Sequence, residues 1–290
     1  MKKYLTMKTK GAVLIAKNNG KLDYIKQAVF SAKRIIQFLE IPVSIITDNA
    51  NYLKKIKDYE VFDTIIEIKS DDYQNHRRFN DGSISSYDAP FKNRSRFDAY
   101  DLSPYDETLL LDTDFIVSNS LLKTCFESKS DFLIYKKSSD VAKVRDEREF
   151  NKISDYSIDF YWATVLFFRK TIINKIFFDL VSHIQDEWIH YRKVYQISSL
   201  LFRNDFAFSI AIHIMNGFQS GNFAETLPGT KIYSTDKDVL VKIRDEELTF
   251  LVEKKDVLGE YTLLKTKNQN VHVMNKFSLE RIINQESDNE

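Results

Sequence analysis

At 290 residues, with 43% hydrophobic and 13% aromatic content, the chain can build one large domain, or one domain with a small appendage; its 7 Gly and 4 Pro exclude a collagenous or linker-rich protein. Lys+Arg and Asp+Glu balance at 42 each, which argues against a dedicated nucleic-acid binder, whose affinity rests on a basic excess. The one cysteine, Cys125, excludes an internal disulfide framework and a cysteine-based zinc site, and beside Phe126 it reads as a core residue.

The basic stretch Met1 to Lys10 is followed by an apolar run, Ala12 to Ala16, that is too short for a signal-peptide core. That run is bounded by Gly11 and by Asn18, Asn19 and Gly20, and predicts a strand buried on both faces. From Tyr24 to Leu39 apolar residues recur at helical spacing. Val43 to Ile46 and Thr64 to Ile68 predict two further strands, so the chain opens as a parallel α/β sheet. The polar stretch from Ser70 to Arg96 shows no periodicity and is expected to be a long loop with at most a short helix. Phe97 to Leu102 predicts a helix ended by Ser103-Pro104, and Thr108 to Val117 a strand. Strands are expected at 131–135 and 164–169, and helices at 171–183, about 187–202 and 205–215. After Gly229 the texture changes: Val239 to Ile243, Leu248 to Glu253 and Tyr261 to Lys265 predict short antiparallel strands. Residues 1–235 are therefore expected to form the main α/β domain. Residues 236–290 should form a β-rich appendage and a return segment. No stretch approaches the ~20 apolar residues that a membrane helix needs, so a cytoplasmic location is expected.

The most informative residues are Asp112-Thr113-Asp114, set between Leu109-Leu110-Leu111 and Phe115-Ile116-Val117. In extended chain, carboxylates two positions apart point to the same side. Two like charges among apolar neighbours are costly unless a cation lies between them. Magnesium or manganese suits such oxygen ligands. The alternative is that Asp112 closes the strand and Asp114 caps the next turn. Asp236-Lys237-Asp238 has the same spacing, but its charged surroundings predict a solvated turn.

The segment from Arg96 through Pro104 to Asp112-Thr113-Asp114 resembles the central segment of GT-A glycosyltransferases. It is most similar to family 8, the glycogenin and galactosyltransferase-like group, over about twenty residues. The chain also resembles glycosyltransferase-like proteins encoded by bacteriophages, which would place it in a host cytoplasm. The resemblance implies a Rossmann-like, mostly parallel sheet flanked by helices, and a nucleotide-diphosphate sugar as donor, most often a UDP-sugar. It implies a third metal ligand, matched here by His272, and a phosphate-binding cation, matched by Lys276. Asn275 and Phe277-Ser278 depart from the family's glycine and Pro-Trp, which bears on the diphosphate geometry. Arg96 would contact the diphosphate or sugar, or else form a salt bridge. Asp205 matches the acidic residue beside the reacting sugar, and could equally be a helix N-cap.

A nucleotide is expected at the C-terminal ends of the first parallel strands, near Ala16, Asn18, Asn19, Thr47 and Asp48, with Thr113 beside the metal. Asp48 reads equally as a ribose contact or a turn residue. The acceptor hydroxyl is unassigned. If it belonged to a modified base in DNA, Arg77-Arg78, Lys136-Lys137, Lys143 and Arg145 would track phosphates; otherwise they are solvated surface. Two other readings stand beside the glycosyltransferase. A nucleotidyltransferase usually carries a Gly-rich loop after the first strand, and this chain has only Gly20 there; the third reading is a non-catalytic nucleotide-binding module.

Overall fold

The computed structural model describes residues 9–69, 75–143, 151–154, 158–255 and 257–289, with side chains as far as Gln285. The chain begins as its apolar pattern predicts. Strand β1 (Lys10–Ala16) leads into helix α1 (Tyr24–Leu39) and strand β2 (Val43–Thr47). A short helix α2 (Ala50–Leu53) and strand β3 (Thr64–Glu67) follow. Helix α1 starts where the Asp23 carboxylate accepts from the Lys26 amide, and it ends at Glu40, which adopts a left-handed φ of 54°.

Residues 76–90 overturn the expected loop. They form a hairpin of β4 (His76–Asp81) and β5 (Ser85–Pro90), while residues 70–74 lie outside the described residues. The hairpin escapes a periodicity search because its buried apolar residues are only Phe79 and Ala89, packed with Leu22 in a small satellite cluster. Gly82, at φ 75°, supplies the turn.

After the single-turn helix α3 (Ala99–Leu102), the predicted strand 108–117 proves to be two, β6 (Glu107–Leu111) and β7 (Phe115–Ile116). They belong to different sheets, so the chain must bend between them. The Phe115 amide closes that bend on the Asp112 carbonyl at 3.1 Å. Strands β8 (Phe132–Tyr135), β9 (Ser138–Asp140) and β10 (Trp162–Arg169) come next, then helices α4 (Ile172–Asp186), α5 (Trp188–Val194) and α6 (Asn204–Met215). Helix α5 is shorter than its pattern predicts. Gln196 turns to φ 53°, and the Trp188 indole donates to the Leu200 carbonyl at 3.0 Å, folding the following segment back. The remaining elements are β11 (Glu225–Thr226), β12 (Lys231–Ser234), β13 (Val239–Arg244), β14 (Glu247–Glu253), β15 (Tyr261–Lys267), β16 (Val271–Val273) and α7 (Lys276–Asn289).

The central sheet has seven strands in the order β11-β8-β10-β6-β1-β2-β3. Within it only β10 runs against the others. This is a mixed α/β fold with a largely parallel central sheet flanked by helices. Strand β1 shows why both faces are covered: Ala12, Leu14 and Ala16 pack toward α1, while Val13 joins the cluster of α4 and α6. A second sheet, β7-β16-β12-β9, and the antiparallel meander β13-β14-β15 lie around α7 in a third cluster. Among the described residues, no helix is long and apolar enough to cross a membrane.

Candidate active site

The carboxyl end of β6 is the pivot of a cleft. The acidic turn there is held by its backbone from three directions. The Asp112 amide donates to the Thr164 carbonyl of β10 at 2.9 Å, and the Val273 amide of β16 to the Asp114 carbonyl at 2.9 Å. The Ser31 hydroxyl of α1 donates to the Thr113 carbonyl at 2.6 Å. Asp112 and Asp114 therefore converge because of this turn, and not through the alternation of an extended strand.

Each carboxylate has its own cation. Arg96, buried in the turn before α3, donates from Nη1 to Asp112 Oδ1 at 2.6 Å and from Nη2 to the Thr164 carbonyl at 2.8 Å. Lys276, at the start of α7, donates to Asp114 Oδ2, and His272 Nε2 lies 3.2 Å from the same oxygen. Burial works to raise the Asp114 pKa, but Lys276 and His272 outweigh it and hold the carboxyl well below its usual range. Asp112 shifts the other way: burial at the cleft floor raises it against the pull of Arg96. Its side chain is still 38% exposed, so this carboxylate is the one open to a ligand.

His272 lies on β16, an interior strand between β7 and β12. Burial, reinforced by Lys231, lowers its pKa to about 4, so the imidazole is neutral at ordinary pH. Ligand atoms from Asp112, Asp114 and His272 all lie within 4.8 Å of one another. Two carboxylate oxygens and a neutral imidazole suit a manganese or magnesium ion, and the buried His272 Nδ1 has no partner of its own among the described residues. The residues present fit such an ion.

Asp205 faces the same cleft from the first turn of α6. It is not the N-cap, a position held by Arg203 without a side-chain cap. Its carboxylate accepts from the Ala163 amide at 2.9 Å and from Arg203 at 2.7 Å. Burial would raise its pKa, but Arg203 and the amide prevail and lower it. Thr113 also lines the cleft, with its hydroxyl 3.4 Å from Gln27 Oε1.

The cleft does not take in every position named from sequence. Among the described residues, Ala16, Asn18, Asn19, Thr47 and Asp48 are not part of its lining. Asn18 Oδ1 accepts from the Ile25 amide at 3.1 Å, and Asn19 Oδ1 from the Lys21 and Leu22 amides at 3.0 and 2.9 Å, so both shape the β1–α1 loop. Thr47 Oγ1 accepts from the Asn49 amide at 3.2 Å. Asp48 pairs with Lys92 at 2.9 Å, and it is Lys92 that reaches the lining.

Sequence reasoning overlooked Lys17, Tyr24, Lys92, Arg203 and Asp236, all of which line the cleft. The turn 236–238, expected to be solvated, is so only in part: Lys237 is exposed, but Asp238 is buried and accepts from the Thr235 and Glu253 amides at 2.8 and 3.0 Å. Of the residues proposed to track DNA, Arg77 turns into the cleft, while Arg78 donates to Ser86 on the exposed face of the hairpin at 2.8 Å. Lys136 pairs with Asp159 at 2.5 Å, and Arg145 lies outside the described residues.

No protein-family profile matches the chain, and no curated protein does. Among solved structures it is similar to the galactosyltransferase LgtC in complex with donor and acceptor sugar analogs, at a TM-score of 0.47 and 16% identity, covering 74% of this chain and 72% of that one. It is also similar to the glycosyltransferase GlyE of Streptococcus pneumoniae TIGR4, at a TM-score of 0.42 and 14% identity. That match covers 76% of this chain but only 45% of GlyE, so the chain spans under half the length of that protein.

Proposed function

We propose that the chain is a metal-dependent glycosyltransferase of the GT-A kind. It would move a sugar from a nucleotide-diphosphate donor, a UDP-sugar in the first instance, to an acceptor hydroxyl. The observation that carries this reading is the convergence of Asp112, Asp114 and His272 within 4.8 Å, with Arg96 and Lys276 paired directly to the two carboxylates. That set sits at the carboxyl end of a parallel strand, where α/β folds bind their ligands.

Asp112, Asp114 and His272 would hold a manganese or magnesium ion. When bound, the ion supplies electrostatic stabilisation of the diphosphate leaving group. Lys276 would exchange Asp114 for a diphosphate oxygen, and Arg96 would fix Asp112 while adding a second positive charge. Asp205, kept ionised by Arg203 and the Ala163 amide, would orient a hydroxyl of the sugar or of the acceptor. Ala163 and Thr164, which also line the cleft, would give the sugar a small-residue wall.

A screen of nucleotide sugars tests the reading. Slow release of nucleoside diphosphate and free sugar with manganese, abolished by EDTA, is the expected result. Release of pyrophosphate from a nucleoside triphosphate and a sugar phosphate would instead make the chain a nucleotidyltransferase. Tight nucleotide binding with no turnover of any donor would make it a binding module.

A further inference from the structure

Arg77 is a cleft cation that the metal centre leaves unused. Lys92, Arg96, Arg203 and Lys276 each meet a carboxylate, namely Asp48, Asp112, Asp205 and Asp114. Arg77, on β4, does not. Among the described residues its guanidinium has no ion pair and no side-chain hydrogen bond. It is held instead beside two rings, 5.5 Å from the centroid of Phe79 and 5.4 Å from that of Phe91. A guanidinium carries five N–H donors in a flat fork, and those of Arg77 stay open to the cleft, where a ligand with two acceptor oxygens could engage them. The two rings hold the group in place by cation–π contact.

The neighbours of Arg77 sharpen the point. Arg203 lines the same cleft and lies close enough that its charge, after burial, is the next cause of a lowered Arg77 pKa. Asp236, on the same cleft wall, opposes that effect in part, and one of its oxygens already accepts from Asn80 at 2.9 Å. Two arginines thus face a shared space with an incomplete complement of negative charge. A divalent ion and a diphosphate carry opposite charges that largely cancel, so a bound donor would leave the Arg77 charge unmet. An oxyanion lying between the two guanidinium groups would meet it bidentately and relieve their repulsion.

We propose that Arg77 and Arg203 form a second anion subsite, which takes a phosphate or carboxylate carried by the acceptor. The word acceptor rests on the glycosyltransferase reading above; the anion subsite does not. The hairpin is the device that builds it. Gly82 closes the turn, Phe79 and Ala89 seat the hairpin on Leu22, and Arg77, two residues before Phe79, lies on the same face.

The test is isothermal titration of inorganic phosphate into the full chain, with and without saturating magnesium and UDP. Wild type is expected to bind phosphate with similar affinity in both conditions. Arg77→Gln should weaken it tenfold or more, and Arg77→Lys by a smaller factor, because it keeps the charge and loses the fork. Thermal melts confirm that each variant is folded, and Arg77→Lys keeps the test open should Arg77→Gln fail to fold. Phosphate affinity unchanged in the folded variants would overturn the proposal. So would loss of phosphate binding once UDP is present, since the anion would then be occupying the diphosphate site. If UDP fails to bind while phosphate still depends on Arg77, the donor reading falls and the anion subsite stands. Blockage of phosphate by UDP-glucuronate but not by UDP-glucose would assign the anion to the donor sugar and overturn its place on the acceptor.

Discussion

Lys276 donates to Asp114 across 162 residues of sequence, from the start of α7 to the turn after β6. With Arg96 on Asp112, this makes the acidic pair two separate ion pairs and not a bare like-charge couple. Sequence reasoning alone expects Asp114→Asn to stabilise the metal-free protein by relieving repulsion. The structure reverses that sign. Asp114 and Lys276 are 3% and 15% exposed, and removing one partner of a pair this buried costs about 3 kcal/mol. Urea unfolding in EDTA should show Asp114→Asn well below wild type, and the more open Asp112→Asn closer to it. A stabilised Asp114→Asn would mean that repulsion dominates after all.

His272 should matter to metal and little to the fold. Its strand is held by backbone pairing to β7 and β12, which a side-chain change leaves intact. His272→Ala is therefore expected to keep its circular dichroism spectrum and lose tenfold or more in manganese affinity. Unaltered manganese binding would make β16 a structural element alone.

Lys231 is fully buried beneath the cleft, its Nζ 3.5 Å from the centroid of the Trp162 ring and without a hydrogen-bond acceptor among the described residues. Burial, opposed in part by Asp205, lowers its pKa from 10.5 to about 7. Between those two values the unfolded chain binds more protons than the folded one, so stability should rise with pH across that window. The slope from this residue alone is at most about 1.4 kcal/mol per pH unit. Lys231→Met, which keeps the volume and removes the charge, should be more stable at pH 7 and show a flatter rise. Equal slopes for the two proteins would contradict the burial argument.

Gly11 owes its place to a ring. A Cβ built there would lie 2.4 Å from Cζ of Tyr105, whose hydroxyl is tied to Ser44 at 2.7 Å. The ring cannot swing away without breaking that bond. Gly11→Ala should cost about 2 kcal/mol in urea unfolding, and Tyr105→Leu in the same chain should recover part of it. A neutral Gly11→Ala would show that β1 can shift away from the ring.

The first half of the fold was legible because β1, α1 and β2 bury long periodic apolar runs, and because Asp112 and Asp114 interrupt one of them. The β4–β5 hairpin was missed for the opposite reason, since only Phe79 and Ala89 pay for its burial; the Asp81-Gly82 step was its one local signal. The cleft cations were harder still. Lys17, Lys92 and Arg203 sit in no motif, and they meet only because loops after β1, β5 and α5 end at one edge of the sheet. His272 and Lys276 were found through a resemblance, since no spacing rule joins them to a turn some 160 residues away.

The most direct measurement is a calorimetric titration of UDP into the full chain, in manganese and in EDTA, for wild type and for Asp112→Asn. Asp112 is the more open of the two carboxylates and, among the described residues, is ion-paired only to Arg96, so its loss should remove a ligand while leaving the fold in place. The expected result is UDP binding by wild type in manganese alone, and little or none by Asp112→Asn in either buffer. Equal binding of UDP in EDTA, or full manganese-dependent binding by Asp112→Asn, would contradict the assignment of the acidic turn as the metal and diphosphate centre.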